Sequence, residues 1–180
     1  MANMKNPILV ICACAVMAML FAVQANTVRE IEWDDLIPAD FSFESLLEGF
    51  DLETFDQLED DDPRALEMYD QLMALWQEAP VVEALDGQVV RLPGFVVPLD
   101  GDGRNVREFL LVPYYGACIH VPPPPANQTV HVLSPDRDVR IRGLFDTVWV
   151  TGVIRVEHKS SDMAESGYQI DVIEVTPYNE

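Results

Sequence analysis

At 180 residues, the chain is long enough for one domain with attachments, and its 49% apolar content is enough for a core. Its formal net charge of −20 argues against a nucleic-acid or anionic-lipid partner, because such a surface repels polyanions. It favours cations, basic partners or plain solubility.

The first segment reads MANMKNPILVICACAVMAMLFAVQAN. Lys5 and the amino terminus supply positive charge, an apolar run follows over residues 7–23, and Val23-Gln24-Ala25 offers a cleavage site. This is the layout of a secretory signal peptide over residues 1–25. The run is short for a spanning helix, which needs about 20 apolar residues, so an uncleaved anchor is the second reading. Cys12 and Cys14 lie inside the run and leave with it. The expected mature protein begins at Asn26, is periplasmic and has no stable membrane insertion. It keeps a single cysteine, Cys118, and so has no internal disulfide.

Residues 26–80 read as an acidic arm followed by a helix. Between Glu30 and Asp62 there are fourteen carboxylates and no lysine or arginine. Trp33, Leu36, Ile37 and Phe41 are interleaved with the acids, which is unlike a disordered tail. Phe43, Leu46, Leu47 and Phe50 fit a short helical stripe. The arm reads as packed on the domain, or else as a docking segment for a partner. A clearer helix opens at Asp62, a capping residue, followed by Pro63 at the first helical position. Ala65, Leu66, Tyr69, Leu72, Met73 and Trp76 recur on one face, and Pro80 ends it. Such a stripe is expected to be core.

Residues 81–180 have the texture of short strands. Two β-rich runs over 87–99 are divided by Pro93-Gly94, and a turn follows at 100–103. Further strands are expected over 107–112, 129–133, 139–144, 147–156 and 168–176, with a polar loop at 158–167 that leaves His158 in solvent. Gly152 in mid-strand marks a bulge or a tight bend. Short, regularly spaced strands fit a small antiparallel OB-like barrel, with a β-sandwich as the alternative. The fold class is thus mainly β with N-terminal helices.

The chemistry concentrates in YYGACIHVPPPPANQTVHV, residues 114–132. On an extended strand Cys118 and His120 share a face, because alternate side chains share a side. His131 on the returning strand falls opposite His120 in one register and on the other face in the next. Thiolate and imidazole are ligands of zinc and of copper, so Cys118, His120 and His131 form a candidate metal set with an open position. The spacing lacks a paired CxxC or HxxxH, and the plain alternative is that Cys118 packs as a small hydrophobe. Four prolines cannot donate to a ladder and hold a stiff rim. Tyr114, Tyr115, Pro123, Pro124, Asn127 and Gln128 are the candidate partner contacts. A nucleophilic role for Cys118 needs a positive neighbour to ionise it, and no oxyanion-forming glycine loop, phosphate loop or dinucleotide fingerprint is present. No catalytic residue is assigned.

The stretches IEWDDLIP, GFVVPLD, FLLVPYYGACIHVPPPPANQ and the closing YQIDVIEV together resemble a family of exported bacterial proteins known as domain of unknown function 3299. The resemblance spans about residues 31–175. It implies a periplasmic protein encoded beside parts of an ABC-type transporter and beside another exported protein linked to zinc supply. It brings no activity and no catalytic residue. The expectation is therefore an accessory or binding protein that holds zinc or copper and works with an envelope transporter, rather than an enzyme. The alternative is a metal-free interaction module of an envelope complex.

Overall fold

The computed structural model describes residues 27–47, 49–51, 57–59 and 61–178. The signal-peptide segment lies outside the described residues. In chain order the elements are β1 (Arg29–Glu30), a 3-10 turn at Trp33–Leu36, α1 (Phe43–Leu47), α2 (Pro63–Gln77) and a 3-10 turn at Glu83–Leu85. Then come β2 (Val89–Pro98), β3 (Asn105–Val106), β4 (Glu108–Val112), a 3-10 turn at Ala126–Gln128, β5 (Val130–Leu133), β6 (Val139–Arg140), β7 (Thr147–Ser160) and β8 (Glu165–Pro177). The chain is mainly β. Among the described residues no helix is long and apolar enough to cross a membrane.

The main sheet runs β1-β2-β4-β5-β8-β7, and β2 also pairs with β7, so the sheet closes into a ring with β1 attached outside it. Strand alternation explains what fills the ring. Val96 of β2 pairs with Leu111 of β4, which pairs with Val130 of β5, which pairs with Tyr168 of β8. All four are fully buried and belong to one apolar cluster, with Leu92, Phe109, Val150, Ile154 and Ile170 in neighbouring layers. The intervening residues of each strand face outward.

The expected break at Pro93-Gly94 does not occur. β2 is one ten-residue strand that runs through both residues. The reason is a change of partner. Its first part lies against β7, from Val89 to Phe95, and its last part against β4, from Phe95 to Pro98. The bend between them brings Leu111 and Trp33 so close to Gly94 that a Cβ there would lie 2.7 Å from Leu111 Cγ and 3.0 Å from Trp33 Cζ2. The strand expected over 139–144 shrinks to β6, which pairs with β3 in a small separate sheet, because Arg142 and Asp146 close a turn. The polar loop expected over 158–167 is mostly strand, since β7 and β8 extend as a hairpin and leave only residues 161–164 between them.

Gly152 marks the irregularity its sequence position predicts: the β7–β8 register shifts between Thr151 and Gly152. A Cβ there would stand 2.3 Å from the Asp171 carbonyl oxygen and 2.5 Å from Ile170 Cγ2. Backbone cannot yield as a flexible side chain does. Gly152→Ala is expected to destabilise the fold by about 1–3 kcal/mol, read as a lowered urea midpoint with an unchanged slope.

The N-terminal arm contributes to the core rather than merely covering it. Ile31 and Leu36 are buried, and Ile31 N–H donates to the Arg91 carbonyl at 3.0 Å. Trp33 Nε1 donates to the Pro93 carbonyl at 2.8 Å. Helix α2 forms where its signals predict, with the Asp62 carboxylate accepting from Arg64 N–H at 2.8 Å. Its apolar stripe is not core, however. Among its residues only Ala65 is buried, while Leu66 is 53% and Tyr69 48% exposed. Periodicity sorts side chains onto faces, but what covers a face is a tertiary matter.

Candidate functional site: an apolar groove between a helix and a proline rim

The seventeen-residue connection from β4 to β5, residues 113–129, is not an extended strand end. Gly116, at φ 90°, turns the chain, and its carbonyl accepts from the backbone N–H of Ile119, His120 and Val121 at 3.3, 2.8 and 3.3 Å. Cys118 sits inside this turn at φ 66°, a left-handed conformation that non-glycine residues rarely adopt. The strand parity that would place Cys118 and His120 on one face therefore does not apply.

The candidate metal set does not assemble. Cys118 is half-buried, and burial pushes its thiol up to about 11, which opposes the thiolate a metal or a nucleophilic role needs. His120 is exposed, with its ring centroid 5.9 Å from that of Phe145. His131 is buried on the outer side of the ring, where it pairs with Leu110 rather than His120. Its Nε2 is 2.7 Å from Glu108 Oε1, and its Nδ1 is sealed without a partner among the described residues. Among those residues no group of three or more His, Cys, Asp or Glu is arranged to hold a metal ion. The donors present do not fit zinc or copper. With its thiol held near 11 rather than an ordinary 9.0, Cys118 is expected to react with a neutral disulfide reagent at pH 8 roughly tenfold more slowly than an exposed thiol, the smaller thiolate fraction being partly offset by its greater nucleophilicity. A rate equal to that of a free thiol would contradict this environment.

The candidate partner residues divide. Asn127 is buried and spends its amide on the fold, donating to the Pro80 carbonyl at 2.8 Å. Gln128 donates to the Trp33 carbonyl at 2.8 Å. Pro124 is buried, and its carbonyl lies 3.4 Å from the Thr129 hydroxyl. These three hold the rim in place. Tyr114 and Tyr115 are 42% and 67% exposed, and Pro123 is half-buried. Tyr115 packs tilted on Phe145 at 4.7 Å, which fixes its ring at the surface.

Sequence reasoning missed the opposite wall. Helix α2 runs beside the rim, and Trp76 Nε1 donates to the Pro123 carbonyl at 3.1 Å. Between them lies an apolar groove of about 340 Å³, lined by Tyr69, Leu72, Met73 and Trp76 on the helix and by Tyr114, Val121, Pro122 and Pro123 on the rim. A second hollow of about 130 Å³ lies against Trp76 as well, bounded by Ile37, Phe41, Leu46 and Pro125 among others. The signal for this wall was the Met and aromatic stripe itself, read as core because nothing in one sequence says which face stays open.

The described residues thus form a mainly β ring with an apolar groove beside α2. The chain belongs to the family described as protein of unknown function (DUF3299), whose model matches residues 33–177. Among solved structures it is similar to a DUF3299 family protein from Pseudomonas aeruginosa PAO1, with 38% identity and a TM-score of 0.60 over 86% of this chain and 98% of that one. No curated protein matches the chain.

Proposed function

We propose that this protein is a periplasmic interaction module that grips an apolar, positively flanked segment of a partner in the groove between α2 and the Tyr114–Pro123 rim. One observation carries the reading: a fifteen-residue amphipathic helix leaves aromatic and aliphatic side chains open against a second apolar wall. Exposed apolar surface of this kind marks a docking site. The chemistry of the partner follows from charge. Residues 30–86 carry nineteen carboxylates and one basic residue, Arg64, which is already bound by Asp62 at 2.7 Å. A lysine- or arginine-flanked segment is steered to such a surface, and an acidic one is repelled. The periplasmic part of an ABC-type envelope transporter is the partner proposed.

The scaffold in this proposal is an OB-like barrel. Support comes from five ring strands taken in the order β2-β4-β5-β8-β7, closure by the β2–β7 pair, and a parallel contact between β5 and β8. A two-sheet sandwich would leave the ring open. Zinc or copper has no place in this reading, since the donors at Cys118, His120 and His131 do not converge.

The test is binding of the purified chain to the transporter's periplasmic domain, with a basic amphipathic peptide as the simpler probe. Tyr69→Ala with Met73→Ala is expected to weaken both by at least tenfold, and raised salt is expected to weaken them further. Unchanged affinity in the double variant would refute the groove as the binding surface.

A further inference from the structure

The charge of this molecule is unevenly placed. Five of its eleven basic residues, Arg104, Arg107, Arg137, Arg140 and Arg142, fall within 39 residues, although the chain as a whole carries −20. Three of the five are neutralised or tied down: Arg107 by Asp138 at 2.6 Å, Arg137 by the Ile173 carbonyl, and Arg142 by Asp146 at 2.6 Å. Arg104 and Arg140 line a single cleft of about 390 Å³ at the edge of the ring, together with the paired Arg142 and Asp146. The β3–β6 sheet brings them together, with Asn105 paired to Arg140 and Ile141 N–H donating to the Arg104 carbonyl at 2.8 Å. Arg142 is held by Asp146 at 2.6 Å, which keeps its guanidinium in place. The guanidinium groups of Arg104 and Arg140 have no hydrogen-bond or ion-pair partner among the described residues. In a chain with 31 carboxylates this is a poor arrangement for a bare surface, because like charges repel and opposite charges abound. The cleft has apolar walls as well, formed by Val148, Val175 and Pro177.

We infer that this cleft is a binding site for a small organic anion, whose carboxylate or phosphate head sits between Arg104, Arg140 and Arg142. Guanidinium forks suit either head through paired N–H donors. The body of the ligand has a place too. Arg142 also lines a neighbouring cleft of about 620 Å³, bordered by Trp33, Phe95 and Tyr178. Planar aromatic walls favour a ring-bearing body over a linear one. A long polyanion does not fit, since the net charge repels it beyond the cleft. The site is separate from the groove at α2 and does not depend on it.

The probes are inorganic phosphate, phenyl phosphate and benzoate, titrated into the purified chain by calorimetry and by amide chemical shifts. Phenyl phosphate is expected to bind at least tenfold tighter than inorganic phosphate, with shifts at residues lining the two clefts and with affinity falling as salt rises. Benzoate binding comparable to phenyl phosphate would identify a carboxylate head, and much weaker binding a phosphate head. Arg104→Gln with Arg140→Gln is expected to reduce the affinity by at least tenfold without moving the melting temperature, and Arg64→Gln is expected to leave it unchanged. Three results would overturn the inference: no binding of any probe at millimolar concentration, equal binding by the double variant, or tighter binding of a short oligonucleotide than of phenyl phosphate.

Discussion

Replacing Trp76 by alanine is expected to cost the proposed partner interaction at least 2 kcal/mol, about a 30-fold loss of affinity. The side chain stands between the two hollows beside α2 and forms a wall of each. Its indole N–H also ties the helix to the rim through the Pro123 carbonyl at 3.1 Å. Truncation removes a large apolar contact and the tie together. Helix α2 has few other anchors, since only its Ala65 is buried. Part of the loss should therefore come from a groove whose two walls no longer hold their spacing. Trp76→Phe separates the contributions, because it keeps an aromatic face and drops the hydrogen bond. Affinity for the basic amphipathic peptide should fall in the order wild type, Trp76→Phe, Trp76→Ala. The urea transition of the β ring should move little, because the groove lies outside the ring. Full affinity in Trp76→Ala would count against any role for this groove.

Tyr168→Phe should lower the stability of the fold by about 2–4 kcal/mol through the loss of one oxygen atom. The Tyr168 side chain is fully buried, yet its hydroxyl makes two hydrogen bonds. It donates to the Leu36 carbonyl at 2.8 Å and accepts from Val82 N–H at 2.6 Å. Those partners belong to the N-terminal arm and to the segment that enters β2, so one phenol joins both to the ring. Phenylalanine fills the same space but leaves a buried carbonyl and a half-buried N–H unpaired, at about 1–3 kcal/mol for each fully buried group. A urea titration should show a lower midpoint with little change in slope. The same phenol predicts an alkaline limit. Burial pushes it from its ordinary 10.0 up to about 12. The folded state therefore holds this proton more tightly than the unfolded chain. Stability from this source is full below pH 10 and is lost as pH rises through about 12. The Tyr168→Phe variant should lack that component of the alkaline transition.

The two proposed sites divide the molecule by chemistry. The apolar groove is built from α2 and the proline rim, and the basic cleft from the β3–β6 sheet and the ends of β7 and β8. A partner gripped at the first and a small anion held at the second would engage different elements. Each set of variants can therefore be read without disturbing the other.

Much of the fold was legible from short-range patterning. The Asp62-Pro63 cap and the stripe behind it announced α2, which spans Pro63–Gln77. The strand expected over 147–156 formed as the first part of β7, whose Val148, Val150 and Ile154 alternate inward and are buried. Gly152 announced its irregularity because an isolated glycine in a strand reports a close neighbour, here the Asp171 carbonyl. These features depend on residues a few positions apart, and one sequence contains them all.

The site was legible only in part. Tyr114 and Tyr115 stood out and are exposed, but Asn127 and Gln128 looked like open amides and are spent on the carbonyls of Pro80 and Trp33. Those acceptors lie 47 and 95 residues away, beyond any local pattern. The link between Cys118 and His120 assumed an extended backbone, and the left-handed turn at Cys118 removed it. The gathering of Arg104, Arg140 and Arg142 around one cleft, and the pairing of α2 with the rim, likewise arise from contacts between distant segments. What this sequence determined by itself was which side chains share a face. Which faces are covered, and which distant groups meet, was decided by the closure of the ring, since burial and convergence are properties of the packed chain.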